Sequence, residues 1–243
     1  MAGIEVTEGS LLDGRVRYAQ PQGGFRSGIE PVLLAAAVPA RSGERVLEMG
    51  CGAGAALLCL SARVPGVGGL GVDIDAGMVL LARRNAAANG WPGLEFLTAD
   101  AASVEGMGTF DHACANPPFH PSGGTASADA SRDLAKRDRP GLLAGWVGAM
   151  AAQVRHRGTL TVILAAAELP RAIAALMAAG CPPSRLFPLW PREAQAAKLV
   201  IVQSVKAGRG PMRLSPGMRL HAADGSFTAE AQAVLREGCG IEL

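Results

Sequence analysis

Arg45-Val46-Leu47-Glu48-Met49-Gly50-Cys51-Gly52-Ala53-Gly54-Ala55 is the stretch that decides the fold. Its first half is a short apolar run of the kind that forms a buried strand, and it breaks into glycines at alternate positions. Helical spacing of apolar residues follows over residues 55–64, so the stretch is a strand, a tight turn and the opening of a helix. The same alternation continues outward. Residues 69–72 read as a second strand closed by Asp73-Ile74-Asp75, and 76–89 as a helix stopped at Asn89-Gly90. Residues 94–98 read as a third strand closed by Asp100, and 110–115 as a fourth closed by Asn116-Pro117-Pro118-Phe119. Beyond a long loop at 120–139 come a helix (142–155), a fifth strand (159–165), a helix (169–179), a late strand (199–205) and a final helix (228–236). On the other side, 31–38 is a helix with Pro31 in its first turn, preceded by a loose strand or turn region over 1–28.

Strand–helix alternation of this kind predicts an α/β fold, a mostly parallel sheet with helices on both faces. Such sheets bind ligands at the carboxyl ends of their strands, where the strand order reverses. Gly50, Asp73, Asp100 and Asn116 all fall at those ends.

Composition narrows the class. The 243 residues are 49% hydrophobic, enough for one full core and too apolar for a disordered chain. No uninterrupted apolar run is long enough to predict a transmembrane helix, and MAGIEVTEGS has acidic residues where a secretory signal would have basic ones. Cys51, Cys59, Cys114, Cys181 and Cys239 are scattered without a CxxC pair. That predicts reduced thiols in a cytoplasmic protein, with neither a disulfide framework nor a metal site. The net charge of +2 neither demands nor excludes a nucleic-acid partner; any such binding must come from local clustering of arginine. Lysine occurs only at Lys136, Lys198 and Lys206.

The glycine turn fits a nucleotide. Gly50-x-Gly52-x-x-Ala55 satisfies the dinucleotide fingerprint, and Asp73 stands near the spacing of a ribose-binding carboxylate, which makes an NAD-dependent oxidoreductase the first hypothesis. Glu48 argues for a different ligand. A carboxylate two residues before the first glycine is a poor neighbour for a pyrophosphate and a good one for a cation. S-adenosylmethionine carries an ammonium and a sulfonium and no phosphate. VLEMGCGAG resembles motif I of the class I S-adenosylmethionine methyltransferases. The resemblance implies a Rossmann-like fold with a seven-stranded sheet. It also implies a cofactor site made by Glu48, Gly50, Cys51, Gly52, Asp73, Ile74, Asp100, Ala101 and Asn116, with Asp73 on the ribose hydroxyls and Asp100 on the adenine amine. Asp75 reads as a helix cap, and Asp100 has the same alternative.

Asn116-Pro117-Pro118-Phe119 carries the reaction chemistry. Two prolines stiffen the end of the fourth strand, and Pro117 keeps Asn116 out of helical geometry. As an isolated tetrapeptide it could be a plain strand-terminating turn. After the fourth strand it resembles the family's [DNS]-P-P-[FYW] motif, which implies methylation of a nitrogen conjugated to a planar system. Asn116 and the Pro117 carbonyl would then accept N–H bonds from the target amine, and Phe119 would offer a stacking face. His112, inside a strand, reads as structural; His120, directly after the motif, is a candidate substrate contact.

The likeness extends over most of residues 20–240 and is to the bacterial tRNA(Val) adenine-N6-methyltransferases. Phe25-Arg26-Ser27-Gly28-Ile29-Glu30-Pro31-Val32-Leu33-Leu34, Arg84-Asn85, Asp111–Phe119, residues 186–192 and 199–205, Leu220-His221, Asp224-Gly225 and Phe227-Thr228 carry it. It implies a cytoplasmic enzyme acting on tRNA, with residues 1–40 capping the cofactor site of a methyltransferase domain over 41–243. Glu30-Pro31 departs from the family's pattern of Asp followed by a small residue. The 120–139 loop, with Arg132, Lys136, Arg137 and Arg139 among Asp129, Asp133 and Asp138, matches weakly where substrate would be chosen. Guanine-N2 rRNA methyltransferases and release-factor glutamine methyltransferases share the tetrapeptide type. The first family usually has a duplicated partner domain, and the second a helical N-terminal domain and Tyr in place of Phe119. An NAD enzyme would need an acid such as a Tyr–Lys pair, and the only tyrosine, Tyr18, precedes the nucleotide fold.

Overall fold

The computed structural model describes residues 5–23, 27–102, 104, 106–118 and 141–243. Its centre is the strand β3 (Arg45–Met49), buried at Val46, Leu47, Glu48 and Met49. Parallel neighbours lie on either side of β3. One flank holds β4 (Gly68–Asp73) and then β5 (Leu94–Thr98). The other holds β6 (Phe110–Ala115) and then β7 (Val154–Ala165). Beyond β7 lie β9 (Leu199–Val205), antiparallel to it, and β8 (Pro183–Trp190), antiparallel to β9. These seven strands form the expected sheet. The two-residue strands β10 (Arg213–Leu214) and β11 (Met218–Arg219) pair with β8 at its edge. The strand order reverses between β3 and β6, which opens a crevice at their carboxyl ends.

Both faces are covered, and the side-chain period of two sorts the core. Val46 joins a cluster under α1 (Glu30–Ala37), α2 (Ala55–Arg63), α3 (Ala76–Ala88) and α6 (Ala229–Leu235). Leu47 and Met49 join the opposite cluster, under α4 (Leu142–Gln153) and α5 (Leu169–Ala178). Glu48 therefore faces the α2 side. Among the described residues no helix is long and apolar enough to cross a membrane.

Two regions are more ordered than the sequence pattern implies. The loose N-terminal region contains an antiparallel hairpin, β1 (Val6–Leu11) with β2 (Val16–Pro21), turning through Leu12 and Asp13 at positive φ and then Gly14. The proline-bounded segment around 186–192 lies largely within β8. Proline inside a strand argues against an interior position because it donates no ladder bond. Here β10 pairs with residues 185–186 and β11 with 189–190, so Pro188 falls in the gap between them.

Candidate active site

Register aligns the predicted site residues at one end of the sheet. Met49 pairs with both Val72 and Ala115, and Asp73 pairs with Thr98. Gly50, Asp73, Asp100 and Asn116 therefore leave adjacent strand ends. The turn is built on left-handed backbone: Gly50, Gly52 and Gly54 have φ of 69°, 52° and 86°. Gly50 and Cys51 both donate to the Val72 carbonyl, at 2.8 and 3.0 Å. Asp73 clasps the turn, accepting from the Gly52 N–H at Oδ2 (2.8 Å) and the Asp75 N–H at Oδ1 (2.9 Å). The Cys51 thiol is buried and packs toward Gly71, where an added Cβ would lie 2.8 Å from Sγ, so what Cys51 offers at the turn is its backbone.

Glu48 has a structural task that the sequence did not signal. Gly54 caps α2 without a side chain, and the Leu57 N–H donates instead to Glu48 Oε2 at 3.2 Å. The carboxylate thus sits at the positive end of a helix. It is nevertheless 3% exposed, and burial, with a smaller contribution from Asp73, pushes its pKa up to about 8. Burial also raises Asp73. The thiols of Cys51, Cys59 and Cys114 are raised by burial and by Glu48. Tyr18, whose hydroxyl shares a 2.7 Å hydrogen bond with Ser27, is pushed up to about 12, chiefly by burial. Every ionisable group named here is acidic, and among the described residues none of them makes an ion pair.

Asp75 caps α3 as expected, accepting from Gly77 and Met78. Asp100 accepts from the Ala102 N–H at 3.0 Å through Oδ1, and among the described residues its Oδ2 has no donor. Ile74, beside Asp73, is 50% exposed, an uncovered apolar surface at the crevice; Ala101 is buried. Asn116 follows β6 directly and is half-buried, with Pro117 buried behind it. Its Oδ1 is buried and has no hydrogen-bond partner among the described residues. An orphaned buried acceptor is costly unless something supplies a donor. Phe119, His120, Phe25, Arg26 and the charged loop 120–139 lie outside the described residues.

The contacts of three side chains were not anticipated from the sequence. The Trp146 ring on α4 lies against Gly50: an added Cβ there would overlap Cη2 and stand 2.8 Å from Cζ3. Asn85 on α3 is buried, and its amide bonds both the N–H and the carbonyl of Ala19, at 2.9 Å each, and the Ala53 carbonyl at 3.0 Å. One turn later Asn89 repeats the exchange with the N–H and carbonyl of Arg17. Two side-chain amides thus act as a strand edge that docks the hairpin, and Asn85 connects it to the glycine turn. Helical spacing of two Asn was the only signal. His112 is structural, as expected, bonding Thr159 through Nδ1 (2.8 Å) and Glu44 through Nε2 (3.0 Å) at the far end of the sheet.

The methyltransferase small domain family matches residues 30–142. The release factor glutamine methyltransferase of Rhodospirillum rubrum is 39% identical over 87 residues, 36% of this chain and 27% of the relative. The ribosomal RNA small subunit methyltransferase C of Salmonella paratyphi B is 34% identical over 126 residues, 51% of this chain and 36% of the relative. The matches thus span only 27% and 36% of these relatives' own length. Among solved structures, a predicted O-methyltransferase from Agrobacterium tumefaciens superposes with a TM-score of 0.73 at 21% identity, covering 88% of this chain and 98% of that one. The Thermus thermophilus 16S rRNA N2 G1207 methyltransferase, in complex with AdoMet and guanosine, gives 0.55 at 20% identity, covering 85% and 51%. The fold is the Rossmann-like methyltransferase fold.

Proposed function

We propose that the chain is an S-adenosylmethionine-dependent N-methyltransferase that methylates the exocyclic N6 of an adenine in tRNA, in the cytoplasm. The observation that carries the transfer chemistry is the buried, unpartnered Oδ1 of Asn116 at the end of β6, beside the glycine turn. The cofactor is S-adenosylmethionine, and the site suits it. Left-handed backbone at Gly50, Gly52 and Gly54 keeps the turn tight at the strand ends, Glu48 and Asp73 are acidic groups without a cation among the described residues, and Ile74 leaves an apolar face open. Asp73 would hold the ribose hydroxyls, Asp100 Oδ2 the adenine amine, and the backbone of Cys51 and Ala101 would line the slot. Residues 1–40 would cap this site through the hairpin docked on Asn85.

When bound, the cofactor supplies a methyl group on a sulfonium sulfur. Asn116 Oδ1 and the Pro117 carbonyl each accept one N–H of the target amine, which turns the nitrogen lone pair toward that methyl. As the N–C bond would form and the S–C bond break, the two acceptors would stabilise the charge developing on nitrogen. One proton then leaves to solvent, so positioning supplies the rate without a separate base. Phe119 would stack the flipped base.

The rRNA and release-factor relatives support a planar, conjugated nitrogen in general. A guanine N2 is the second choice, favoured by the guanosine held in the Thermus structure. Asn116→Ala should lower transfer about 100-fold or more while leaving S-adenosylmethionine affinity, measured by calorimetry, within about threefold. Loss of cofactor binding would make Asn116 a cofactor residue instead. Mass spectrometry of tRNA from a deletion strain should lack one N6-methyladenosine; unchanged tRNA would move the substrate to rRNA or protein.

A further inference from the structure

At the opposite end of the sheet from Asn116 lies a cavity of about 200 Å³, lined in part by Arg157, Ser184, Arg185, Arg209 and Arg213, with no carboxylate in its lining. It is built where the amino-terminal part of β7, the end of β9 and the start of β8 meet, since Thr159 pairs with Val205 and Pro183 with Ser204. At about 3.3 Å per residue, Arg157 is roughly 20 Å along β7 from the level of Asn116.

The charge here is uncompensated. Arg157, Arg209 and Arg213 are exposed, and their guanidinium groups make no hydrogen bond or ion pair among the described residues. Several arginines elsewhere find carboxylates: Arg155 bonds Asp111, Arg171 bonds Glu168 and Arg219 bonds Glu193. Arg185 is held in place by main-chain oxygens, with Nε on Leu243 O (2.8 Å) and Nη1 on Ser184 O (3.4 Å). The neighbouring Lys206 likewise spends its ammonium on the Val154 carbonyl. The rim is specifically formed as well. Arg157 holds a left-handed φ of 65°, rare for a residue with a side chain, and the two turns lock together through Arg157 N–H to Lys206 O (3.3 Å) and Lys206 N–H to Gly158 O (2.9 Å).

Four arginines around one small concave space bring planar, permanently charged guanidinium forks that match the tetrahedral oxygens of phosphate. We propose that this cavity is a phosphate-binding site that grips a backbone phosphodiester of the RNA substrate, away from the methyl-transfer crevice. The choice of RNA as the source rests on the proposed function; the affinity for phosphate rests on the cavity alone.

The test compares the full chain with Arg157→Ala/Arg209→Ala/Arg213→Ala, using fluorescein-labelled bulk tRNA and anisotropy at salt from about 50 to 200 mM. The variant should bind about 30-fold more weakly at the low-salt end, with the slope of log K against log salt reduced by about 2 to 3. S-adenosylmethionine affinity should be unchanged. Arg209→Glu/Arg213→Glu, which spares the turn at Arg157, guards against misfolding and should show the same direction. Unchanged tRNA affinity and slope would overturn the proposal. A second arm titrates inorganic phosphate and follows arginine Nε–Hε resonances, which should shift at Arg157, Arg209 and Arg213. If the wild-type chain binds S-adenosylmethionine but no tRNA, the RNA source falls together with the RNA part of the proposed function. Phosphate-induced shifts would then uphold the cavity as a phosphate site, and their absence would overturn it.

Discussion

Glu48→Gln should make the ligand-free protein more stable at neutral pH while weakening cofactor binding. An unfolded glutamate with the ordinary pKa of 4.5 is almost wholly ionised at pH 7, whereas native Glu48, pushed up to about 8 by burial, is mostly protonated. Folding therefore takes up a proton. A carboxyl raised in the native state contributes stability that is complete below pH 4.5 and lost as the pH rises from 4.5 through about 8. Neutral pH lies roughly 2.5 pH units into that window, so wild type forfeits about 3 kcal/mol between pH 4.5 and 7 at this one group. Glutamine keeps an oxygen to accept from Leu57 and does not titrate; its unpaired amide costs about 1 kcal/mol at both pH values. Urea unfolding should show the variant slightly destabilised near pH 4.5 and about 2 kcal/mol more stable than wild type at pH 7. Calorimetry should show S-adenosylmethionine binding tightening toward pH 8 in wild type only, with the variant about tenfold weaker there. Parallel stability profiles for the two proteins would refute a protonated Glu48, and identical cofactor affinities would refute its attraction for the cation.

Gly50→Ala combines a left-handed backbone with overlap on Trp146, and should cost about 2–3 kcal/mol in urea unfolding. Gly43→Ala, also at positive φ but with open space around it, should cost only about 1 kcal/mol. Asn85→Ala leaves the Ala19 N–H and two carbonyls without their amide partner; it should cost about 3 kcal/mol and speed hydrogen exchange at the Ala19 amide, while Glu8, paired to Arg84 on the exposed face, should matter little when neutralised.

What the sequence reveals follows from how local the cause is. The glycine turn is legible because only glycine tolerates the backbone of positions 50, 52 and 54, and the parallel core because strands buried on both faces read as apolar runs. Asp75 is legible as a cap because the bonds it makes span two or three residues. Illegible features depend on distant partners. Pro188 sits in a strand only because β10 and β11 leave it a gap. Asn85 reaches 66 residues back to Ala19. Trp146 meets Gly50 across 96 positions of chain, and no spacing rule connects them. Glu48 was legible as an acidic neighbour of the turn, but its capping of α2 requires the helix to fold back over the strand.

A net charge of +2 conceals a separation along the sheet. Among the described residues, Glu48 and Asp73 at the carboxyl ends of the strands have no cation; at the amino ends Glu44 and Asp111 are committed to His112 and Arg155, and Arg157, Arg209 and Arg213 have no anion. The two ends therefore suit ligands of opposite sign. A cationic cofactor is drawn to the crevice, where the Asp73 carboxylate would repel the phosphates of the proposed nucleic-acid substrate. Under the proposed function, the arginine end is where the described residues offer affinity for the polyanion, while a single unstacked, neutral base reaches Asn116. Salt should then weaken RNA binding steeply while leaving the methyl-transfer step of the bound complex almost untouched, because the screened contacts lie at the arginine end and the reacting groups are buried at the other. Single-turnover rates that fell with salt as steeply as binding does would show instead that the phosphate contacts lie at the reaction site itself.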